Sequence, residues 1–304
     1  MVHFVQMHHY RVWEAMANGC NSLLGFSRLQ REMLLVLLRG LLLVVIGVYL
    51  IALVMAVWVS DQLIFHPQQA GYRDNAGILK LTSSGGAKIS ATFLANPDAT
   101  FSVLFSHGNA EDIGDDQPFL EKIRAAGFAV LAYDYQGYGT SEGKPTERHA
   151  YDDEDAAYTF LVQTMHIQPN RIIAFGRSVG SGPAVDLASR RPVAGLILES
   201  AFTSAFRVMT RVSVLPFDKF DNLQKIKKVH CPVLIIHGTQ DSVINAFHGR
   251  QLFAAANEPK QALWVERANH NNVAFVGGSQ YYNSLKTFAT LIQRHQSGAC
   301  SQGL

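Results

Sequence analysis

Two kinds of apolar pattern divide this chain. From Met33 to Val59 apolar residues run almost without interruption, and Leu41 to Val59 is nineteen residues with neither a charge nor a proline. A helix of that length and character is long enough to span a bilayer. A core helix would carry a polar face, and a cleaved signal peptide would have a shorter apolar region nearer the start. The pattern therefore predicts a transmembrane anchor over residues 34–60, an N-terminal segment over 1–33 and one large domain over 61–304.

Beyond the anchor the apolar runs become short. Ile78 to Thr82 and Lys88 to Leu94 flank Ser83 to Gly86 and read as two strands joined by a turn, an antiparallel start. Fully apolar runs follow at Val103 to Phe105, Ala129 to Ala132, Ile172 to Phe175, Gly195 to Leu198, Val233 to Ile236 and Ala262 to Val265. Helix-like stretches lie between them and after them: Pro118 to Ala126, Glu147 to Met165, Val179 to Arg190, Ala246 to Ala256 and Ser284 to His295. Strands buried on both faces and alternating with crossover helices predict an α/β fold, a mostly parallel central sheet covered on both sides.

Composition narrows the function classes. The chain has 304 residues, 48% hydrophobic and 16% charged, enough for a sizeable core. A formal net charge of +2, with no block of Lys or Arg interleaved with aromatics, argues against a nucleic-acid partner. Cys20, Cys231 and Cys300 have neither metal-ligand nor paired spacing, although a Cys231–Cys300 pairing stays open. The acidic runs Glu111 to Asp116 and Asp152 to Asp155 read as helix N-terminal charge and a solvated helix face rather than a metal site. Arg28, Arg31 and Arg39 precede the apolar span and the next basic residue is Arg73, so the positive-inside rule places the amino terminus in the cytoplasm and the domain outside it.

In an open parallel sheet the ligand lies beyond the carboxyl ends of the strands. The strand end with the sharpest chemistry is Gly176-Arg177-Ser178-Val179-Gly180, where two glycines allow a tight strand-to-helix corner that presents a serine. A serine hydroxyl needs a base and a group to orient that base. His270, in the polar loop Ala268 to Asn272 before the last helix, is the candidate base, whereas His107 and His237 each precede a glycine at a strand end and read as structural props. Asp241, in the loop after Gly238, is the candidate orienting acid, with Glu199 as its rival at the end of the preceding strand. Candidate oxyanion donors are the N–H of Val179, after the serine, and that of Asn109 in His107-Gly108-Asn109, with Ala110 next.

Taken together, Ser106 to Ala110, Asp134 to Ser141, Gly176 to Gly180, Leu198 to Phe202, His237 to Asp241 and His270 to Asn272 resemble the α/β-hydrolase superfamily over roughly Phe65 to His295. They look most like its membrane-anchored, lidless branch, described as serine aminopeptidase-like, which includes acyl-thioesterases. The resemblance implies Ser178 as nucleophile, Asp241 as acid and His270 as base, and structural roles for Asp134, Tyr135 and Tyr138. It departs from the family where Asn271-Asn272 replaces the Asn-Asp that often follows the histidine, and in the short segment Ser200 to His230, which leaves little room for a cap. The expected activity is hydrolysis of carboxylic esters or thioesters through an acyl-enzyme, without a cofactor or metal, on a small-molecule or acylated, lipid-like substrate. The alternatives are a peptidase or amidase with the same residues, and a non-catalytic, membrane-tethered binding protein.

Overall fold

The computed structural model describes residues 28–210 and 218–301, and the chain divides into two units between Trp58 and Val59. Cys20, His3, His8, His9 and the side chain of Cys300 lie outside the described residues; Cys231 is a free thiol. Helix α1, Arg28–Ile64, contains one stretch, Glu32–Met55, of 24 residues with mean hydropathy 2.8 and none of its window buried. At about 1.5 Å per residue that stretch is roughly 36 Å long, compared with about 30 Å of bilayer hydrocarbon.

The second unit is built on one sheet. Among the described residues it has eight strands: β1 (Ile78–Thr82), β2 (Lys88–Leu94), β3 (Ser102–Ser106), β4 (Ala129–Tyr133), β5 (Ile172–Arg177), β6 (Gly195–Glu199), β7 (Val233–Gly238) and β8 (Lys260–Val265). Their spatial order is β1-β2-β4-β3-β5-β6-β7-β8, antiparallel across β1, β2 and β4 and parallel from there on. Alternation along each strand feeds two cores. Leu104, Ala174, Leu196, Leu198 and Ile235 point into one, and Val103, Phe105, Ile173, Phe175, Ile197 and Leu234 into the other.

The crossover helices are α2 (Gln117–Ala125), α3 (Glu147–Thr159), α4 (Ser181–Arg190) and α7 (Ala246–Ala255), and α8 (Val273–Ser301) closes the chain. The expected Ser284 to His295 helix is thus the middle of a longer one, kinked at Gly278 where φ is +47°. Between β6 and β7 lie the short helices α5 (Ala205–Thr210) and α6 (Asn222–Lys225), which the apolar pattern does not announce.

The solvated-face reading of Asp152 to Asp155 fails at its centre. On α3 the positions Ala150, Asp153, Glu154, Ala157 and Tyr158 follow the i, i+3, i+4, i+7 spacing of an inward face, and all are buried. Asp153 accepts hydrogen bonds there from Ser83 Oγ (2.5 Å) and the Gln136 N–H (2.7 Å). Burial pushes the Glu154 carboxyl well above the usual range.

Candidate active site

The sharp corner foreseen at Gly176 to Gly180 is present at the carboxyl end of β5. Ser178 has φ +52°, a conformation that costs a non-glycine residue energy and that the surroundings must enforce. A Cβ on Gly176 would collide with the Gly180 carbonyl, and one on Gly180 with that of Ser106, so both positions require glycine. The turn Ser178–Gly180 leads into α4, and Ser181 Oγ donates back to the Ser178 carbonyl at 2.6 Å.

The structure brings His270 and Asp241 to this serine. His270 Nε2 is 3.0 Å from Ser178 Oγ, and its Nδ1 is 2.8 Å from Asp241 Oδ2. Nδ1 therefore carries the proton and Nε2 offers a lone pair to the hydroxyl. Although the sequence suggests an open loop for Asp241, the residue is 5% exposed. Its Oδ1 takes the N–H groups of Val243 (2.9 Å) and Ile244 (2.7 Å), folding the loop over the carboxylate. Burial alone would raise its pKa, but hydrogen bonds from His237 and His270 and the Ile244 N–H outweigh it and hold the carboxyl well below the usual range. His237 approaches Asp241 Oδ2 to 3.4 Å while also bonding the Ile244 carbonyl at 2.8 Å.

The His270 loop is held by amides. Asn269 Oδ1 accepts from the Ser242 N–H (2.9 Å) and the His270 N–H (2.7 Å), and Asn272 Oδ1 accepts from the Asn269 N–H (2.7 Å). Asn272 thus offers a carbonyl oxygen that holds this loop.

Both candidate oxyanion donors sit at strand ends beside Ser178. Val179 is at the start of the elbow helix, where an N–H has no carbonyl a turn behind it. On the other loop the Ala110 N–H donates to Asn109 Oδ1 at 3.1 Å, and among the described residues the Asn109 N–H has no hydrogen-bond partner. The Asn109 side chain is fixed from three sides: Nδ2 donates to the Ile64 carbonyl (2.6 Å), while Oδ1 accepts from Tyr138 Oη (2.6 Å) and the His66 N–H (2.9 Å). Tyr135 Oη donates to the His107 carbonyl (2.8 Å), and Asp134 takes the Ile113 N–H (2.9 Å) and Tyr72 Oη (2.6 Å). Those residues support the site rather than face it.

Glu199 is not on His270. The β5–β6 register sets it opposite Arg177, whose Nε lies 3.3 Å from its Oε1, and Tyr281 Oη donates to its other oxygen. Arg177 Nη1 also bonds Asp116 at 2.8 Å and lies 3.5 Å from Glu111, with the guanidinium 4.0 Å from the Phe119 ring centroid. Burial works against its charge, but Glu199, Asp116 and Glu111 more than compensate and raise its pKa. Burial raises the Asp116 carboxyl to about 7 against the pull of Arg177, with Glu111 adding repulsion. Glu111 Oε1 in turn accepts the Gly108 N–H at 2.5 Å. Arg177 thereby ties the oxyanion loop, the serine elbow and the end of β6 together. This half-buried cluster has no sequence signature, because its members are separated in the chain and meet only in the folded sheet and loops.

An open groove of about 520 Å³ lies over these groups, with Phe119, Ala274 and Phe275 giving it apolar walls and Glu111, Arg177 and Glu199 a charged end. Among the described residues no group of three or more His, Cys, Asp or Glu is arranged to hold a metal.

The chain has relatives along most of this unit. Residues 96–220 match the family described as serine aminopeptidase, S33. Alpha/beta hydrolase domain-containing protein 17B of Xenopus tropicalis is 43% identical over 212 residues, covering 68% of this chain and 73% of that protein. The Homo sapiens protein of the same name is 42% identical with the same coverage. Among solved structures, the Pyrococcus furiosus esterase Pf2001 superposes with a TM-score of 0.63 over 74% of this chain and 98% of its own, at 18% identity, a likeness of fold alone.

Proposed function

Because the chain belongs to the α/β-hydrolase superfamily, among the alpha/beta hydrolase domain-containing 17 proteins, we propose that it is a membrane-anchored serine hydrolase that cleaves carboxylic esters or thioesters through an acyl-enzyme. The observation that carries the reading is the relay Ser178 Oγ to His270 Nε2 (3.0 Å) and His270 Nδ1 to Asp241 (2.8 Å), built on a strained elbow.

In this mechanism His270 Nε2 takes the Ser178 proton as Oγ attacks the acyl carbon. The oxyanion forms against the N–H groups of Asn109 and Val179, aided by the dipole of the helix that begins there. The imidazolium, stabilised by ionised Asp241, then protonates the leaving alkoxide or thiolate. Water enters, His270 takes its proton in turn, and Ser178 is released with the carboxylic acid. Helix α1 serves as the anchor, with the amino terminus in the cytoplasm and the hydrolase unit on the other side.

The test is a panel of p-nitrophenyl esters, acyl thioesters and aminoacyl amides with wild type and Ser178→Ala. Ester and thioester turnover that disappears in the variant supports the reading. Turnover confined to amides would favour a peptidase, and none at all a binding protein.

A further inference from the structure

Beyond α1, five large apolar side chains stand out in solvent among the described residues; two of them line the groove and two more stand within four residues of those in the chain. Val243 (58% exposed) and Phe247 (53%) lie on the loop after Asp241 and the first turn of α7, and Phe275 (86%) and Val276 (41%) on the first turn of α8. Val243 and Phe275 also line the groove that reaches Ser178. Exposed aromatics are normal singly, but a cluster at one place marks an interaction surface. The segments that carry it are free of formal charge: no Asp, Glu, Lys or Arg occurs from Ser242 to Gly249 or from Ala268 to Leu285. Gly278 breaks α8 just behind Phe275 and Val276 and so sets their turn apart from the rest of the helix.

We infer that this rim is a docking surface for a lipid bilayer, and that the hydrolase unit draws acyl substrate from the bilayer into the groove across Val243 and Phe275. Three observations favour a bilayer as the occupant. The rim is continuous with the walls of the groove, so whatever covers it must let substrate pass inward; a bilayer delivers a hydrocarbon chain there, whereas a packed protein surface seals the mouth. Charges are expensive to bring into an apolar phase, and the two segments that carry these side chains have none. Only nine residues, 56–64, separate Met55, the end of the membrane-length stretch, from Phe65, the first buried core residue of the unit. Even fully extended they would reach only about 30 Å, and as the end of α1 they reach less, so the tether keeps the rim at high effective concentration near a bilayer. Lipid-exposed apolar side chains at an interface bind by buried area, as interfacial helices do.

The inference rests on the hydrolase reading only for its activity arm. The full chain is placed in phosphatidylcholine nanodiscs and assayed on two esters, water-soluble p-nitrophenyl acetate and a fluorogenic long-chain ester dissolved in the bilayer. Phe247 and Val276 do not line the groove, so the doubly substituted F247S/V276S protein keeps acetate hydrolysis while its turnover of the bilayer ester falls about tenfold, the effect of losing buried apolar area. In a second arm, Phe247→Trp is compared with the parent in nanodiscs of brominated phosphatidylcholine, and the introduced indole is quenched beyond the parental background. Equal loss on both esters, or quenching no greater than the parent's, overturns the proposal. Acrylamide shielding of that indole in a species of doubled mass would give the rim to a second copy instead. If no variant or parent hydrolyses acetate, the hydrolase reading fails, and the quenching arm still decides whether the rim meets lipid.

Discussion

Replacing Asp241 by asparagine separates the two candidate acids by hydrogen-bond geometry. Asp241 Oδ1 accepts two backbone N–H groups, from Val243 at 2.9 Å and Ile244 at 2.7 Å. Those donors force the amide oxygen of the variant into the Oδ1 position and its NH₂ group into the place of Oδ2, 2.8 Å from His270 Nδ1. Two donors cannot face each other, so the His270 proton moves from Nδ1 to Nε2. Nε2 is the atom 3.0 Å from Ser178 Oγ that has to accept a proton, and as N–H it cannot. The expected loss in kcat is about 10⁴-fold, roughly 5 kcal/mol of barrier, with little change in KM. Glu199→Gln leaves His270 untouched and should cost no more than about tenfold, alongside a loss of stability at its Arg177 contact. Steady-state kinetics on p-nitrophenyl butyrate compare the two variants, with circular dichroism checking that both fold. A larger loss for Glu199→Gln than for Asp241→Asn would refute the assignment of the acid.

Other consequences are equally open to measurement. Arg177→Met leaves Glu199 and Asp116 buried without their counter-charge and should destabilise the fold by about 3–5 kcal/mol in urea unfolding; an unchanged midpoint would show that the cluster contributes nothing. Gly176→Ala drives a methyl into the backbone of Gly180 and Ser181, with an expected cost of about 1–3 kcal/mol and loss of activity, and a variant that melts and turns over like wild type would contradict the tight elbow. Asp116, raised to about 7 in the fold from an ordinary 3.8, holds a proton that the unfolded chain has already released. Its contribution is therefore largest below pH 3.8 and is lost as pH rises through about 7, so wild type should lose stability relative to Asp116→Asn across that window. Parallel melting curves would refute the shift.

The sheet was legible because each central strand is a short apolar run, and the strand ends then located Ser178, Asp241, His270 and the Asn109 loop. What stayed hidden depends on register and on side chains far apart in sequence. Glu199 reads as a free acid until β6 is aligned with β5 and Arg177 takes it. Asp153 and Glu154 look like surface charge because composition does not reveal which face of α3 turns inward. The first turn of α8 is masked by Gly277 and Gly278, and α5 and α6 are too short for a periodic signal. His237 reads as a prop from its place before Gly238 and does brace Asp241, whereas Asn269, which braces the His270 loop, has no signal beyond standing next to it.

The account depends on Ser178 being a nucleophile activated by His270. Incubating the full-length protein with a fluorophosphonate probe and mapping the adduct by peptide mass spectrometry tests this directly. The structure's relay predicts a single adduct on Ser178, absent from Ser178→Ala and strongly slowed in His270→Ala. A wild-type protein that takes no label, or one labelled on another serine, would contradict it.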